Sequence, residues 1–189
     1  SAKFGAAPEH APGLVAHARS RGVDVAGFSF HVGSQSSGAD RFRHAMQTTV
    51  DLMDECERSQ RITFDLLDLG GGFPVAYDRA VATVPQIADA LRGPLESLRG
   101  RVSVIAEPGR ILVADAGTVV VSVVGSAERD GIVWHYVDDG VYGTYSNVLT
   151  EGIRPLAFPV RPRRSSTPTR PVVLAGPTCD SADVLYEKN

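Results

Sequence analysis

Lysine is almost missing from this chain of 189 residues: Lys3 and Lys188 are the only two, so nearly all of its positive charge is arginine. Any chemistry that needs a lysine amine has just those two positions to draw on. Cysteine is equally scarce, at Cys56 and Cys179. A disulfide framework is therefore excluded as the source of stability, and a reducing, cytoplasmic compartment is the simpler expectation. No apolar run approaches the roughly 18 residues that span a bilayer, and no signal peptide is recognisable. The formal net charge is only -3, which points to neither a nucleic-acid partner nor an acidic membrane. Five histidines are scattered without HxxxH or HxH spacing, so no metal site is expected. The glycines form neither GxGxxG nor the Gly-Lys-Ser/Thr of a P-loop, which removes the usual dinucleotide and nucleotide cradles.

What is present is an ordinary globular balance, 43% hydrophobic and 22% charged, in a chain long enough to bury a core. Helical spacing of Leu14, Val15 and Ala18 predicts a helix over 8–21, closed by Gly22. A second helix is predicted over 39–58, with Phe42, Met46, Val50 and Met53 on one stripe. A third spans 84–98, with Pro85 in its first turn and Ile87, Ala90 and Leu91 facing inward. Between them, 23–30, 62–69 and 102–106 read as apolar strands. This alternation argues for parallel βα units. Beyond a boundary near 112–117 helical periodicity disappears. The segments 118–125, 132–140 and 172–175 are β-rich, which predicts an antiparallel β domain after the α/β part, and 159–171 reads as a surface loop or linker.

Each predicted parallel strand runs into a polar, glycine-bearing loop: Phe30-His31-Val32-Gly33-Ser34-Gln35, Asp68-Leu69-Gly70-Gly71-Gly72-Phe73-Pro74 and Glu107-Pro108-Gly109-Arg110. Singly, each has a plain structural reading. His31 can be a hydrogen-bonded loop histidine, Gly70 to Gly72 a tight turn, and Glu107 with Arg110 an ion pair. Cys179-Asp180 can be an inert thiol beside a surface carboxylate. Together they are more specific. A buried carboxylate for a ring nitrogen, a ring-sized stacking group and a glycine cradle whose N–H groups can approach a phosphate are what pyridoxal 5'-phosphate requires.

Five motifs in order carry a resemblance: Ser29 to Gln35, Leu67 to Pro74, Ala106 to Arg110, Asp139-Gly140-Val141-Tyr142-Gly143 and Gly176-Pro177-Thr178-Cys179-Asp180. Together they resemble the ornithine/diaminopimelate/arginine decarboxylase family of fold type III, alanine-racemase-like pyridoxal phosphate enzymes. The resemblance implies the C-terminal part of a (β/α)8 barrel over 1–113 and part of a C-terminal β domain over 114–189, with the cofactor at the carboxyl ends of the barrel strands. It implies that His31 stacks on the cofactor ring and that Glu107 pairs with the ring nitrogen. Ser34, Gly70, Gly71, Gly72, Gly109 and Arg110 would cradle the phosphate. Cys179 would act across a homodimer interface, returning a proton to the substrate carbon after CO2 leaves. Asp139 and Asp180 would receive the distal ammonium of a basic amino acid.

An aspartate after this cysteine favours ornithine, converted to putrescine in polyamine synthesis, with lysine as a second substrate. Lysine is one methylene longer, a difference of roughly 1–3 kcal/mol in a pocket. Diaminopimelate, or another amino acid, is the alternative within the family. A non-catalytic regulatory relative is the alternative outside it. The chain departs from the family in one respect. The lysine that anchors the cofactor covalently, in a Tyr-Ala-Val-Lys-like segment, is not here, and neither Lys3 nor Lys188 fits the role. The expectation is an internal portion of a longer polypeptide, inactive by itself.

Overall fold

A computed structural model describes residues 4–77, 79–160 and 170–187. Lys3, Lys188 and most of the expected 159–171 linker lie outside the described residues. The chain divides into two compact units, Ser1–Ala76 with Ala80–Asp115, and Tyr77–Arg79 with Ala116–Asn189.

In the first unit a short 3-10 turn leads into α1 (Ala11–Ser20), followed by β1 (Gly27–Ser29), α2 (Ala39–Gln60), β2 (Leu66–Asp68), α3 (Val84–Ser97), β3 (Ser103–Ile105) and α4 (Arg110–Val113). The strands form a parallel sheet in the order β1-β2-β3, with Phe28 opposite Leu67 and Leu67 opposite Val104. They are shorter than the apolar runs that predict them, because only three residues of each are paired, in β1 and β2 those toward the carboxyl end of the run. Phe42, Met46, Val50 and Met53 are all buried, as the spacing of α2 predicts, and they pack with Leu67, Phe64, Ile87 and Leu91 into one core. Phe28 and Phe64 meet edge-on at 5.2 Å, and Phe42 lies 5.0 Å from Phe73. Leu14, by contrast, stays exposed; Val15 alone of that pair enters the core. All three residues of β3, one of the sheet's two edge strands, are exposed.

The second unit holds β4 (Val123–Arg129), β5 (Ile132–Val137), α5 (Ser146–Glu151), β6 (Val172–Ala175) and β7 (Val184–Tyr186). β4 and β5 are joined by Asp130-Gly131, both at positive φ (52° and 74°), the backbone that a two-residue hairpin turn requires. The sheet is not purely antiparallel. β4 with β5 and β6 with β7 are antiparallel, but β5 and β6 pair parallel, Trp134 opposite Val173 and His135 opposite Leu174. A long connection between them, including the unpredicted helix α5, lets the chain return in the same direction. β7 has no clear signal in the sequence; its three residues are too short a run to stand out. Val137, Val141 and Leu185 form a small core here.

Candidate functional site

Parallel strands point their carboxyl ends the same way, so the loops after β1, β2 and β3 emerge side by side. Backbone bonds fix them there. Phe30 N–H donates to the Asp68 carbonyl at 3.1 Å, Leu69 N–H to Ile105 at 2.9 Å and Glu107 N–H to Gly70 at 2.9 Å. A second set of bonds joins the first two loops. Ser36 N–H donates to the Gly72 carbonyl at 3.0 Å. The Gln35 amide both donates to the Val75 carbonyl at 3.0 Å and accepts from the Val75 N–H at 2.7 Å. Gln35 therefore acts as a clasp, with its own backbone at φ 55°. Its pairing with Val75 could not be foreseen, because nothing in sequence marks an amide 40 residues from its partner.

The result is a single hollow of about 230 Å³ lined by His31, Ser34, Gln35, Gly71, Gly72, Phe73, Glu107, Gly109 and Arg110. Seven of the eight first-unit residues expected at a site share this hollow. Gly70 is the exception, and it is a correction. Its N–H is taken by the Asp68 carboxylate at 2.8 Å and its carbonyl by Glu107, so it braces the floor instead of offering a free donor. Among the described residues no acceptor takes the N–H of Gly71 or Gly72. A second correction concerns Glu107. It is exposed, not buried, as are all three residues of the strand β3 that precedes it.

His31 accepts a hydrogen bond from Gly33 N–H through Nδ1 at 2.9 Å, which leaves Nε2 as the protonated nitrogen of the neutral ring. That ring lies over Gly71. A Cβ built on Gly71 would stand 3.2 Å from Nε2 of His31 and 3.1 Å from the Glu107 carbonyl. A side chain here would push against the imidazole expected to cover one face of a heterocycle. Uncovered glycine N–H groups next to an imidazole, a carboxylate and a guanidinium, with no Cβ in the way, fit a phosphorylated aromatic cofactor.

Asp139, Cys179 and Asp180 belong to the second unit. Cys179 is exposed. Asp139 accepts from Gly140 N–H at 2.8 Å and Thr144 N–H at 3.1 Å, and bonds from Thr144 hold its carboxyl below the usual range. It caps its own turn. Asp180 accepts from Ala182 N–H at 2.9 Å and from the Tyr142 hydroxyl at 2.7 Å, and it too is held low, the Ala182 bond foremost. The carboxylate that sequence reading overlooked is Asp183, only 2% exposed. Burial opposes its charge, yet bonds from Thr178 and Val141 outweigh that and keep it ionised below the ordinary value. Cys56 is a core thiol, and burial raises its pKa.

Residues 1–114 match the family model of the pyridoxal-dependent decarboxylase, pyridoxal binding domain. An ornithine decarboxylase of Panagrellus redivivus is 35% identical over 99% of this chain and 47% of its own length. A lysine/ornithine decarboxylase of Vibrio vulnificus, solved with cadaverine, superposes with a TM-score of 0.86 at 38% identity, over 99% of this chain and 50% of that one. The arginine decarboxylase of Paramecium bursaria Chlorella virus, solved with agmatine, gives 0.84 at 30% identity, over 97% and 49%. The chain spans about half the length of the relatives it matches.

Proposed function

The chain belongs to the family of pyridoxal-dependent decarboxylases, and from that premise we propose that the protein containing it removes CO2 from a basic amino acid. Ornithine is the first choice of substrate, giving putrescine, and lysine the second, in a homodimer whose sites are shared between protomers. The observation that carries this reading is the convergence of His31, Gly71, Gly72, Glu107 and Arg110 on one hollow. The lysine that anchors the cofactor would lie in the half of the relatives' length that this chain does not span.

Pyridoxal phosphate, when bound, supplies an electron sink for the pair left as a bond to the substrate's Cα breaks. The residues of this chain have separate tasks around it. His31, oriented by Gly33, would cover one face of the ring. Glu107 would hold a proton at the ring nitrogen. The N–H groups of Gly71, Gly72 and Gly109, the Ser34 hydroxyl and the Arg110 guanidinium would take the phosphate. Cys179 of one protomer would return a proton to the substrate carbon in the partner's site. Asp180, already ionised and half-committed to Tyr142, would receive the distal ammonium, and a substrate lacking that ammonium would leave it unpaired.

Steady-state assays of the full-length protein on ornithine, lysine, arginine and diaminopimelate test the proposal, with Glu107→Ala beside the wild type. The expected order is ornithine, then lysine, with kcat falling roughly 10²-fold or more in the variant. No CO2 from any of the four would defeat the reading and leave a binding or regulatory role. Near-full turnover by Glu107→Ala would remove the ring-nitrogen assignment.

A further inference from the structure

The parallel pairing of β5 with β6 has a positional effect: the stretches that follow them, 138–145 and 176–183, leave the sheet at the same end. The first contains Tyr142, the second Cys179 and Asp180. Between them sits Asp183, the only charged residue buried among the described residues. Its Oδ1 accepts from Val141 N–H at 2.9 Å. Its Oδ2 accepts from Thr178 N–H at 3.0 Å and from the Thr178 hydroxyl at 2.7 Å. Its backbone N–H donates to the Asp180 carbonyl at 3.0 Å, and its carbonyl accepts from Gly176 N–H at 2.8 Å. Space for the carboxylate is made by Gly140 and Gly176, where any Cβ would collide with it.

We propose that Asp183 is a positioning residue that sets the placement of Cys179 and Asp180 by tying their loop to the Val141–Tyr142 segment. The proposal rests on the roles given above to Cys179 and Asp180. Thr178 and Asp180 flank the cysteine, and both are bonded to Asp183, so the loop tip is held from its two feet by one residue. Val141, bonded to the same carboxylate, precedes Tyr142, whose hydroxyl donates to Asp180 Oδ2. Asp183 thus organises both members of the Tyr142–Asp180 pair. Three donors converge on its two oxygens, and only an acceptor-only group satisfies all three. An asparagine would turn an NH2 toward an N–H. Among the described residues no cation pairs with this buried carboxylate, a costly arrangement, and here its cost is offset by the number of donors it collects.

The test uses the full-length protein with Thr178→Val, Thr178→Ser and Asp183→Asn. One readout is the rate at which iodoacetamide alkylates Cys179, followed by peptide mass spectrometry, with buried Cys56 as reference for an intact first unit. The other is the division of any effect between KM and kcat for ornithine and lysine. Thr178→Val and Asp183→Asn are expected to change the Cys179 alkylation rate roughly tenfold and to raise KM by a similar factor, the scale of a lost hydrogen bond to a charged group. Thr178→Ser, which keeps the hydroxyl, is expected to behave as wild type. Should Asp183→Asn fail to fold, the Val/Ser contrast at Thr178 decides by itself. The inference is overturned if Thr178→Val matches wild type in both readouts, or if Thr178→Ser is impaired as much as Thr178→Val. A wild-type protein that releases no CO2 would sink the decarboxylase reading alone, because the alkylation rates would still decide the role of Asp183.

Discussion

Gly71 carries the most information of any single residue in the first unit. Its backbone is unremarkable in φ, so its requirement is spatial: His31 and the Glu107 carbonyl both stand within 3.2 Å of where a Cβ would be. Gly71→Ala should therefore leave the fold intact while displacing the imidazole by a few tenths of an ångström. The expected outcome is roughly tenfold weaker binding of pyridoxal phosphate to the full-length apoprotein, in line with the 1–3 kcal/mol of a modest overpacking, read by absorbance titration. Unchanged affinity would mean that the space above Gly71 is not where the cofactor ring lies.

At the scale of elements, the ends of helices and strands are secured by side chains whose partners are close in sequence. Thr83 and Gln86 form a reciprocal cap at the start of α3: Thr83 accepts from Gln86 N–H at 3.4 Å, and the Gln86 amide oxygen accepts from Thr83 N–H at 2.9 Å. Thr83→Ala should cost about 1 kcal/mol, seen as a lower denaturant midpoint with unchanged slope. A loss within about 0.3 kcal/mol of zero would mean that packing of Ile87 and Leu91, not the cap, fixes where the helix begins. The opposite end of the same layer is closed by Arg101, which donates to Asp54 at 2.7 Å and Glu57 at 2.9 Å while Glu57 accepts from Phe64 N–H at 3.0 Å. Those bonds hold the Arg101 guanidinium ionised, raising its pKa. This clamp lies at the amino ends of the strands, away from the hollow, and reads as stability.

Across the whole molecule, the carboxylates held below their ordinary value among the described residues all belong to the second unit: Asp139, Asp180 and Asp183. A depressed carboxylate stabilises the fold above its unfolded value of about 3.9, and that contribution is lost as pH falls through the folded value. Exposed Asp180 is screened by solvent and weighs little, so buried Asp183 dominates. Trp134, the sole tryptophan, lies in β5 and reports on this unit. Its fluorescence should be steady above about pH 5 and change as the pH drops below about 4. A signal flat through that range would mean that folding does not depress the Asp183 carboxyl.

The pattern of residues alone determined the α/β layering of the first unit and the burial of the α2 stripe. Glycine-bearing loops after three parallel strands could also be read there, because helix period, strand end and turn chemistry are local properties of the chain. Long-range pairing decided the rest. Gln35 finds Val75, and the Gly70 carbonyl accepts from Glu107 N–H. Glu107 is left in solvent, and β5 meets β6 in parallel, which brings Tyr142, Cys179 and Asp180 to one end of a sheet around Asp183. None of these follows from spacing, since a hydrogen-bond donor does not record which distant acceptor the folded backbone will set before it.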